Sequence, residues 1–460
     1  MIKVNTLCSA LVVFFWCGIT LVAIIPHIEA RDLRRATALP TKSDVQPFSV
    51  AIKPRDPSPY DKDLAVRSQN ISAYMLGDAP DPTHHAHQLG FIAQHGDDGS
   101  TTYFMPPPSS NPLGPVLASH NPDLSWKVGP KGMNFTTPGT VISGRIYIVD
   151  GYLNFYSNND GKIIQPDPHN TGDVASQERW GFIEFSHVKD SDGSNEDMTV
   201  NLSFVDWVSL PLGMSVTFEE GGNQTTMAVP GLKPDSLVNI CKSLSALDSF
   251  WPKLCIRGSD NAPLRALSPE KYISLHPDDH DALSYYEPYI NEIWEKYKNV
   301  DLKINTQVDG PSSNKKIDDG RIVTCRVGQS DNVLHCDNDA GDFSRPVSSD
   351  IYGCNSGPFS NPTDAAAESW SRARVRPRLC AAFVRSTLHL DAVQPSHNIS
   401  SDKYYQDHIT NHYARLVHEN LIDGMGYAFS YDDVNPGSSE NSAGLVSTSR
   451  PLQLKITINT

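Results

Sequence analysis

The sequence is poor in positive charge. Its 38 Lys and Arg stand against 53 Asp and Glu, a formal net charge of −15. That balance repels a phosphate backbone and excludes nucleic acid as the main partner. Neutral polymers, small molecules and cell-wall material remain. The chain also lacks a C-x-x-C pair, an H-E-x-x-H motif, a glycine-rich phosphate loop, a G-x-S-x-G elbow and a papain-like cysteine motif. Zinc, nucleotide and serine- or cysteine-nucleophile chemistry therefore has no support. No internal repeat is evident. What is present is an ordinary globular balance, 39% hydrophobic and 20% charged over 460 residues, enough for one large domain or a few smaller ones.

The N-terminus reads as a processing segment. Lys3 precedes an apolar run from Leu7 to Ile25, followed by "PHIEARDLRR". Ile28 and Ala30 make an acceptable cleavage site, so residues 1–30 are expected to be a signal peptide, with a signal anchor as the alternative. Either way the remainder is extracytoplasmic, and after cleavage no membrane contact is expected. Cys8 and Cys17 leave with the leader; Cys241, Cys255, Cys325, Cys336, Cys354 and Cys380 remain. An even number in a secreted chain implies disulfides. Local spacing suggests Cys241–Cys255, Cys325–Cys336 and Cys354–Cys380, although about 15 connectivities are open to six cysteines. Sequons at Asn70, Asn134, Asn201, Asn223 and Asn398 fit a glycosylated secretory protein.

Residues 31–98 are rich in Pro, Asp, His and Ser without sustained periodicity, and read as a propeptide or disordered arm. The "HHAH" run (His84, His85, His87) is read as part of that solvated arm rather than as a metal site. The catalytic region is expected over 99–460. Its β-rich core spans about 99–228 and 421–460, around a helix-rich mixed part at about 229–420. Hairpin signals occur at "GTVISGRIYIVDGYLNFYS", at "WGFIEFSHV" with "MTVNLSFVDWVSLPL", and at "GMSVTFEEGGNQTTMAV". Helical spacing marks "KPDSLVNICKSL", "PDDHDALSYYEPYINEIWEKYK", "DAAAESWSRARV", "LCAAFVRSTL" and "YYQDHITNHYARLVHENL". His408 and His412 fall in the last of these and are read as part of an amphipathic helix, not as metal ligands. "GYAFSYDD" and "LQLKITI" close the chain as β-like segments.

Two acids interrupt apolar strand faces. Trp180, Phe182, Glu184, Ser186 and Val188 share one face, and Val200, Leu202, Phe204, Asp206 and Val208 share another. Antiparallel pairing with Glu184 opposite Asp206 centres the hairpin on Asn195, inside the polar loop "KDSDGSNED". Direct opposition gives Cβ atoms about 4.5–5.5 Å apart, and a two-residue register change about 7–8 Å. An apolar face and a neighbouring like charge both raise a carboxyl pKa, which suits a general acid beside an ionised partner. Glycoside hydrolysis needs that pair, with inversion at about 6.5–9.5 Å and retention at about 5–5.5 Å. Trp180 and Trp207 could present flat faces to sugar rings, or be buried. The alternative is a structural network in which the acids pair with arginines, for example Arg179.

"GRIYIVDGYLNFY", "WGFIEFS", "VNLSFVDWVSLPLGM", "FSRPVSSDIYGCNSGPF", "LCAAFVRSTL" and "NHYARLVHENLIDGMGYAFSYDDVNP" occur in that order. From about Thr101 onward the chain resembles glycoside hydrolase family 64. The resemblance implies a β-1,3-glucanase: a thaumatin-like β-sandwich or barrel domain plus a mixed α/β domain walling a wide groove, and hydrolysis with inversion. It implies Glu184 as general acid, Asp206 as general base, and a supporting role for Asp432 or Asp433. No cofactor or metal is implied; the partner is β-1,3-glucan, and a monomer is expected. Asn201 and Ser203 would face away from Asp206 on a regular strand, leaving the groove clear of any glycan on Asn201. The segment between the two acids is longer than in bacterial members. A non-catalytic thaumatin-like protein that binds cell-wall β-glucan is the second reading.

Overall fold

A computed structural model gives the fold. It describes residues 45–54, 70–80, 88–95, 100–106, 116–117, 124–189, 195–308, 320–362, 368–437 and 440–459. The expected leader, the HHAH run and the centre of the KDSDGSNED loop lie outside the described residues.

Two β-sheets share one apolar core. The smaller has five strands, in the order Asn223–Val229, Leu212–Glu220, Pro451–Ile458, Ser49–Pro54, Met133–Thr136. The larger runs Val446–Ser449, Glu196–Leu202, Arg179–Lys189, Val141–Asp150, Ile71–Pro80, Gln88–His95, Thr101–Phe104, with Trp126–Lys127 paired onto Ile71–Pro80. Alternate side chains of each strand point to opposite faces. Val50, Ile52, Met214, Val216, Leu454 and Ile456 of the smaller sheet thus meet Met75, Ile146, Ile148, Ile183, Phe185, Val200 and Leu202 of the larger in a single cluster.

The other face of the larger sheet is covered over only part of its length. Tyr74, Leu76, Tyr147, Val149, Trp180 and Phe182 pack there with Leu153, Phe155, Trp207 and Leu267. Along the strand Arg179–Lys189 the cover ends after Phe182, so Glu184 and Ser186, next on that face, are half-buried rather than sealed.

The helices Ser236–Leu244, Pro269–Leu275, Glu287–Asn299, Ser348–Gly353, Trp370–Val384 and His412–Asn420 follow the β-rich part. Among them lies an antiparallel sheet of Leu302–Asn305, Ile322–Val327, Leu334–Cys336 and Gly341–Phe343. The disulfides are Cys241–Cys255, Cys325–Cys336 and Cys354–Cys380, and Cys325 and Cys336 oppose one another on adjacent strands.

Five expectations need correction. "GTVISGRIYIVDGYLNFYS" is not a hairpin: Val141–Asp150 pairs with Ile71–Pro80 and Arg179–Lys189, while Tyr156–Ser157 pairs with Ile163–Ile164 and Val116–Leu117. The described parts of residues 31–98 are not a structureless arm. Ser49–Pro54 pairs parallel with Pro451–Ile458 and antiparallel with Met133–Thr136, and Ile71–Pro80 and Gln88–His95 are interior strands of the larger sheet. Ile71–Pro80 is buried on both faces over most of its length, which erases the alternation by which a half-exposed strand is recognised. "WSRARVRPRLCAAFV" is one helix that continues through Pro377, not two. In "YYQDHITNHYARLVHENL" only His412–Asn420 is α-helical, capped by the Asn411 side chain. "GYAFSYDD" is not a strand but a turn-rich segment, anchored by a single bridge from Tyr427 to Ser203.

Candidate active site

Glu184 lies in the middle of a central strand and is flanked on both sides. In the row across the sheet, Arg145 of Val141–Asp150 is on one side and Asn201 of Glu196–Leu202 on the other. Arg145 donates from Nε and Nη2 to Glu184 Oε1 at 3.2 and 2.8 Å. Its Nη1 donates to Gln165 Oε1 at 2.9 Å, which also accepts from the Tyr147 hydroxyl at 2.5 Å. The guanidinium sits 4.5 Å above the centre of the Phe182 ring. Glu184 has its side chain 19% exposed. Its pKa is raised: burial is the main cause, Arg145 opposes it, and the charge of Asp206 adds to it. For Arg145, burial works against the charge, but Tyr147, Glu184 and Asp206 outweigh it and the guanidinium stays protonated.

Asp206 is held in another way. The strand Glu196–Leu202 ends before it, and the chain bends through Val205 and Asp206 into the short strand Trp207–Val208. Three elements fix that bend. Tyr427 pins its start: the Phe204 N–H donates to Tyr427 O at 2.8 Å and the Tyr427 N–H to Leu202 O at 3.1 Å. The Tyr413 hydroxyl, from the helix His412–Asn420, donates to Phe204 O at 2.6 Å. The Ser268 N–H donates to Asp206 O at 2.9 Å. Ser268 also caps the helix Pro269–Leu275, accepting from the Lys271 N–H. That cap sets Lys271 in the first turn, where its Nζ lies 3.4 Å from Asp206 Oδ1 and 3.6 Å from Glu270 Oε2. Asp206 is 29% exposed.

The arrangement is a raised, half-buried carboxyl with a second carboxylate close enough to act on it, each with one cationic neighbour. No group of three or more metal-ligating side chains occurs among the described residues.

Residues 64–458 match the sequence profile of the family described as beta-1,3-glucanase, glycoside hydrolase family 64. The chain belongs to that family. Over 300 residues it is 28% identical to the glucan endo-1,3-beta-glucosidases of Cellulosimicrobium cellulans and Arthrobacter sp. (strain YCWD3), covering 65% of this chain and 50% of each relative. It thus spans about half the length of those curated relatives. A laminaripentaose-producing beta-1,3-glucanase solved with laminaritetraose superposes with a TM-score of 0.69 at 24% identity, over 90% of this chain and 98% of that one. A family 64 beta-1,3-glucanase domain from Clostridium beijerinckii gives 0.62 at 16%, over 90% and 99%. At these identities the likeness shows the fold.

Within the family 64 frame, the other sequence-derived candidates fall in different places. Trp180 is 1% and Trp207 7% exposed. Their rings pack 4.5 Å apart, and the Trp207 indole N–H donates to Trp180 O at 3.2 Å. They are core beneath the site, not open faces for a sugar. Asp432 is 0% exposed. It pairs with Arg385 at 3.0 Å and His418 at 2.8 Å and accepts from the Ala428 N–H at 2.8 Å. Burial alone would raise its pKa, but His418 and Arg385 outweigh that and hold it below the ordinary value. Its task is to fold the segment whose Tyr427 pins the Asp206 bend. Asp433 is half-buried, and its charge reaches Arg378.

The expected hairpin register is also overturned. Glu184 opposes Asn201, not Asp206, and Phe185 opposes Val200. Val200 and Leu202 therefore side with Ile183 and Phe185 in the core, and Asn201 shares the face of Glu184. The reading that placed an Asn201 glycan away from the groove falls with that register. Asn70, Asn134, Asn223 and Asn398 are exposed; Asn201 is half-buried. The partner of Glu184 is Arg145, while Arg179 pairs with Asp150 at 2.5 Å. Arg145, Gln165 and Lys271 were missed as site residues. Only "GRIYIVD" held a signal, an arginine inside an apolar strand.

Proposed function

We propose that the chain is a secreted, inverting endo-β-1,3-glucanase, acting as a monomer without a cofactor. Glu184 is its general acid and Asp206 its general base. The observation that carries this reading is the raised pKa of Glu184 at the point where the apolar cover of its sheet face ends, with Asp206 on the adjoining bend. Family membership and the glucanase names of the relatives support the substrate class. The thaumatin-like label and the wide groove belong to the same reading. Three disulfides and four exposed sequon asparagines support an oxidising, extracellular setting.

The chemistry follows from the asymmetry of the two acids. A general acid must be protonated at the working pH and then give its proton to the leaving oxygen. Burial and the Asp206 charge favour the protonated form of Glu184, while Arg145 stabilises the carboxylate left after transfer. Both Arg145 bonds go to Oε1, so Oε2 is the oxygen to present to the substrate. Asp206 takes a proton from the water that attacks the opposite side of the sugar ring, as inversion requires. Lys271 keeps that carboxylate oriented.

Assay of the mature protein on laminarin and curdlan, beside Glu184→Gln and Asp206→Asn, tests the roles: equal activity in all three would rule them out. NMR of the first products distinguishes the stereochemistry, with the α-anomer expected and an initial β-anomer contradicting inversion. The Glu184–Arg145 ion pair favours one competing reading, a glucan-binding protein without turnover. Its mark is glucan pull-down that survives both substitutions, with no reducing sugar released.

A further inference from the structure

We propose that Asn201 is a substrate-positioning residue: its carboxamide hydrogen-bonds a hydroxyl of the glucosyl unit at the bond Glu184 cleaves, and its N-L-S sequon is left unglycosylated in active molecules. The inference rests on the glucanase reading and names a contact within the same site.

Register comes first. Asn201 is the direct antiparallel neighbour of Glu184, which sets their Cβ atoms about 4.5–5.5 Å apart on one face. Arg145, Glu184 and Asn201 thus form a single row across three strands, with Arg145 holding the acid from one side and Asn201 flanking the other. The strand's alternation adds to this. Val200 and Leu202 are buried in the core, and Asn201 between them turns to the half-open face.

Hydrogen bonding comes next. Asn201 is half-exposed as a residue, but its Oδ1 is buried and has no hydrogen-bond partner, although Glu184 beside it and Asp206 on the bend that follows its strand both have one. A buried polar atom without a partner is uncommon and calls for a ligand or a function. A carboxamide both donates and accepts, as a sugar hydroxyl does. Being uncharged, it adds nothing that would pull the Glu184 pKa back down. A carboxylate or ammonium at this position would act on that proton directly.

Modification bears on the same atoms. A glycan on Asn201 begins at its side-chain nitrogen, one strand spacing from Glu184, and would occupy the space the substrate needs. The sequon at 201–203 is therefore incompatible with turnover if occupied, unlike those at the four exposed asparagines.

The test uses the secreted full-length mature chain from a eukaryotic host, with Asn201→Ala, Asn201→Thr and Ser203→Ala. Thr is included because it suits a strand interior. Ser203→Ala removes the sequon and keeps Asn201. Both Asn201 variants should unfold at the wild-type temperature and lose roughly ten- to hundredfold in kcat/KM on laminarin. They should keep the wild-type pH limb and bind laminaritetraose more weakly by calorimetry. Ser203→Ala should match wild type, and peptide mass should show Asn201 bare in the active protein. Asn201 variants within about twofold of wild type in both measurements would overturn the proposal. So would early unfolding of both, a shifted pH limb, or a glycan on Asn201 in fully active protein. A wild type that binds laminaritetraose without releasing reducing sugar from laminarin would defeat the glucanase reading alone. In that case, affinity decides the role of Asn201: weaker binding in the variants supports it, equal binding overturns it. Absence of both binding and turnover in wild type overturns both.

Discussion

Glu184 and Asp206 are held by opposite means. Glu184 is built into a ladder: its backbone is fixed by two neighbouring strands and its side chain by one arginine from the next strand over. Asp206 is assembled from afar. Its bend is pinned by Tyr427, Tyr413 and Ser268, and its side chain is met by Lys271. A strand interior gives a carboxyl a dry, fixed setting, which favours keeping a proton. A bend between elements leaves a carboxylate more open, which suits one that takes a proton from water.

That contrast can be broken at several points. The largest effect is expected at the acids themselves: Glu184→Gln and Asp206→Asn should each cut reducing-sugar release from laminarin by roughly a thousandfold, with the unfolding temperature kept. Next is the remote support of Asp206. Asp432→Asn leaves Arg385 and His418 without their buried partner and should destabilise the fold by about 3–5 kcal/mol in denaturant titration. The surviving folded fraction should lose turnover through the Asp206 bend while keeping the pH limb set by Glu184.

Arg145→Gln sharpens the comparison from the other side. Arg145 opposes the rise in the Glu184 pKa, so its loss lets burial and Asp206 push that pKa further up. In the proposed role of general acid Glu184 must be protonated to act, and the alkaline limb of kcat/KM should therefore move to higher pH. Movement to lower pH would contradict the assignment of Glu184 as the acid. The smallest effect is expected for Lys271→Met, about a tenfold fall in kcat with that limb unmoved.

The same contrast explains what the sequence made legible. The face shared by Trp180, Phe182, Glu184 and Ser186 could be read from alternation, because the strand is regular and only partly covered. The Asp206 face could not. Its alternation continues in the sequence past Leu202, but the strand ends there, at a bridge to Tyr427 far along the chain. Val200 and Leu202 then point into the core, and the residue beside Glu184 is Asn201. Arg145 and Lys271 reach the acids through strand register and a helix cap, which no single stretch of sequence declares. The cysteine pairs are local and were readable from spacing. Ile71–Pro80 was not, because a strand buried on both faces carries no period.

The bridge between Ser203 and Tyr427 also has a temporal meaning. During synthesis the Glu184 ladder can form once the strands from Ile71 to Leu202 have emerged, but the Asp206 bend waits for Tyr427. The parallel pairing of Ser49–Pro54 waits longer still, for Pro451–Ile458. Glu184 is thus set early and Asp206 late, so a nascent chain can hold one of the two carboxyls in place before the other.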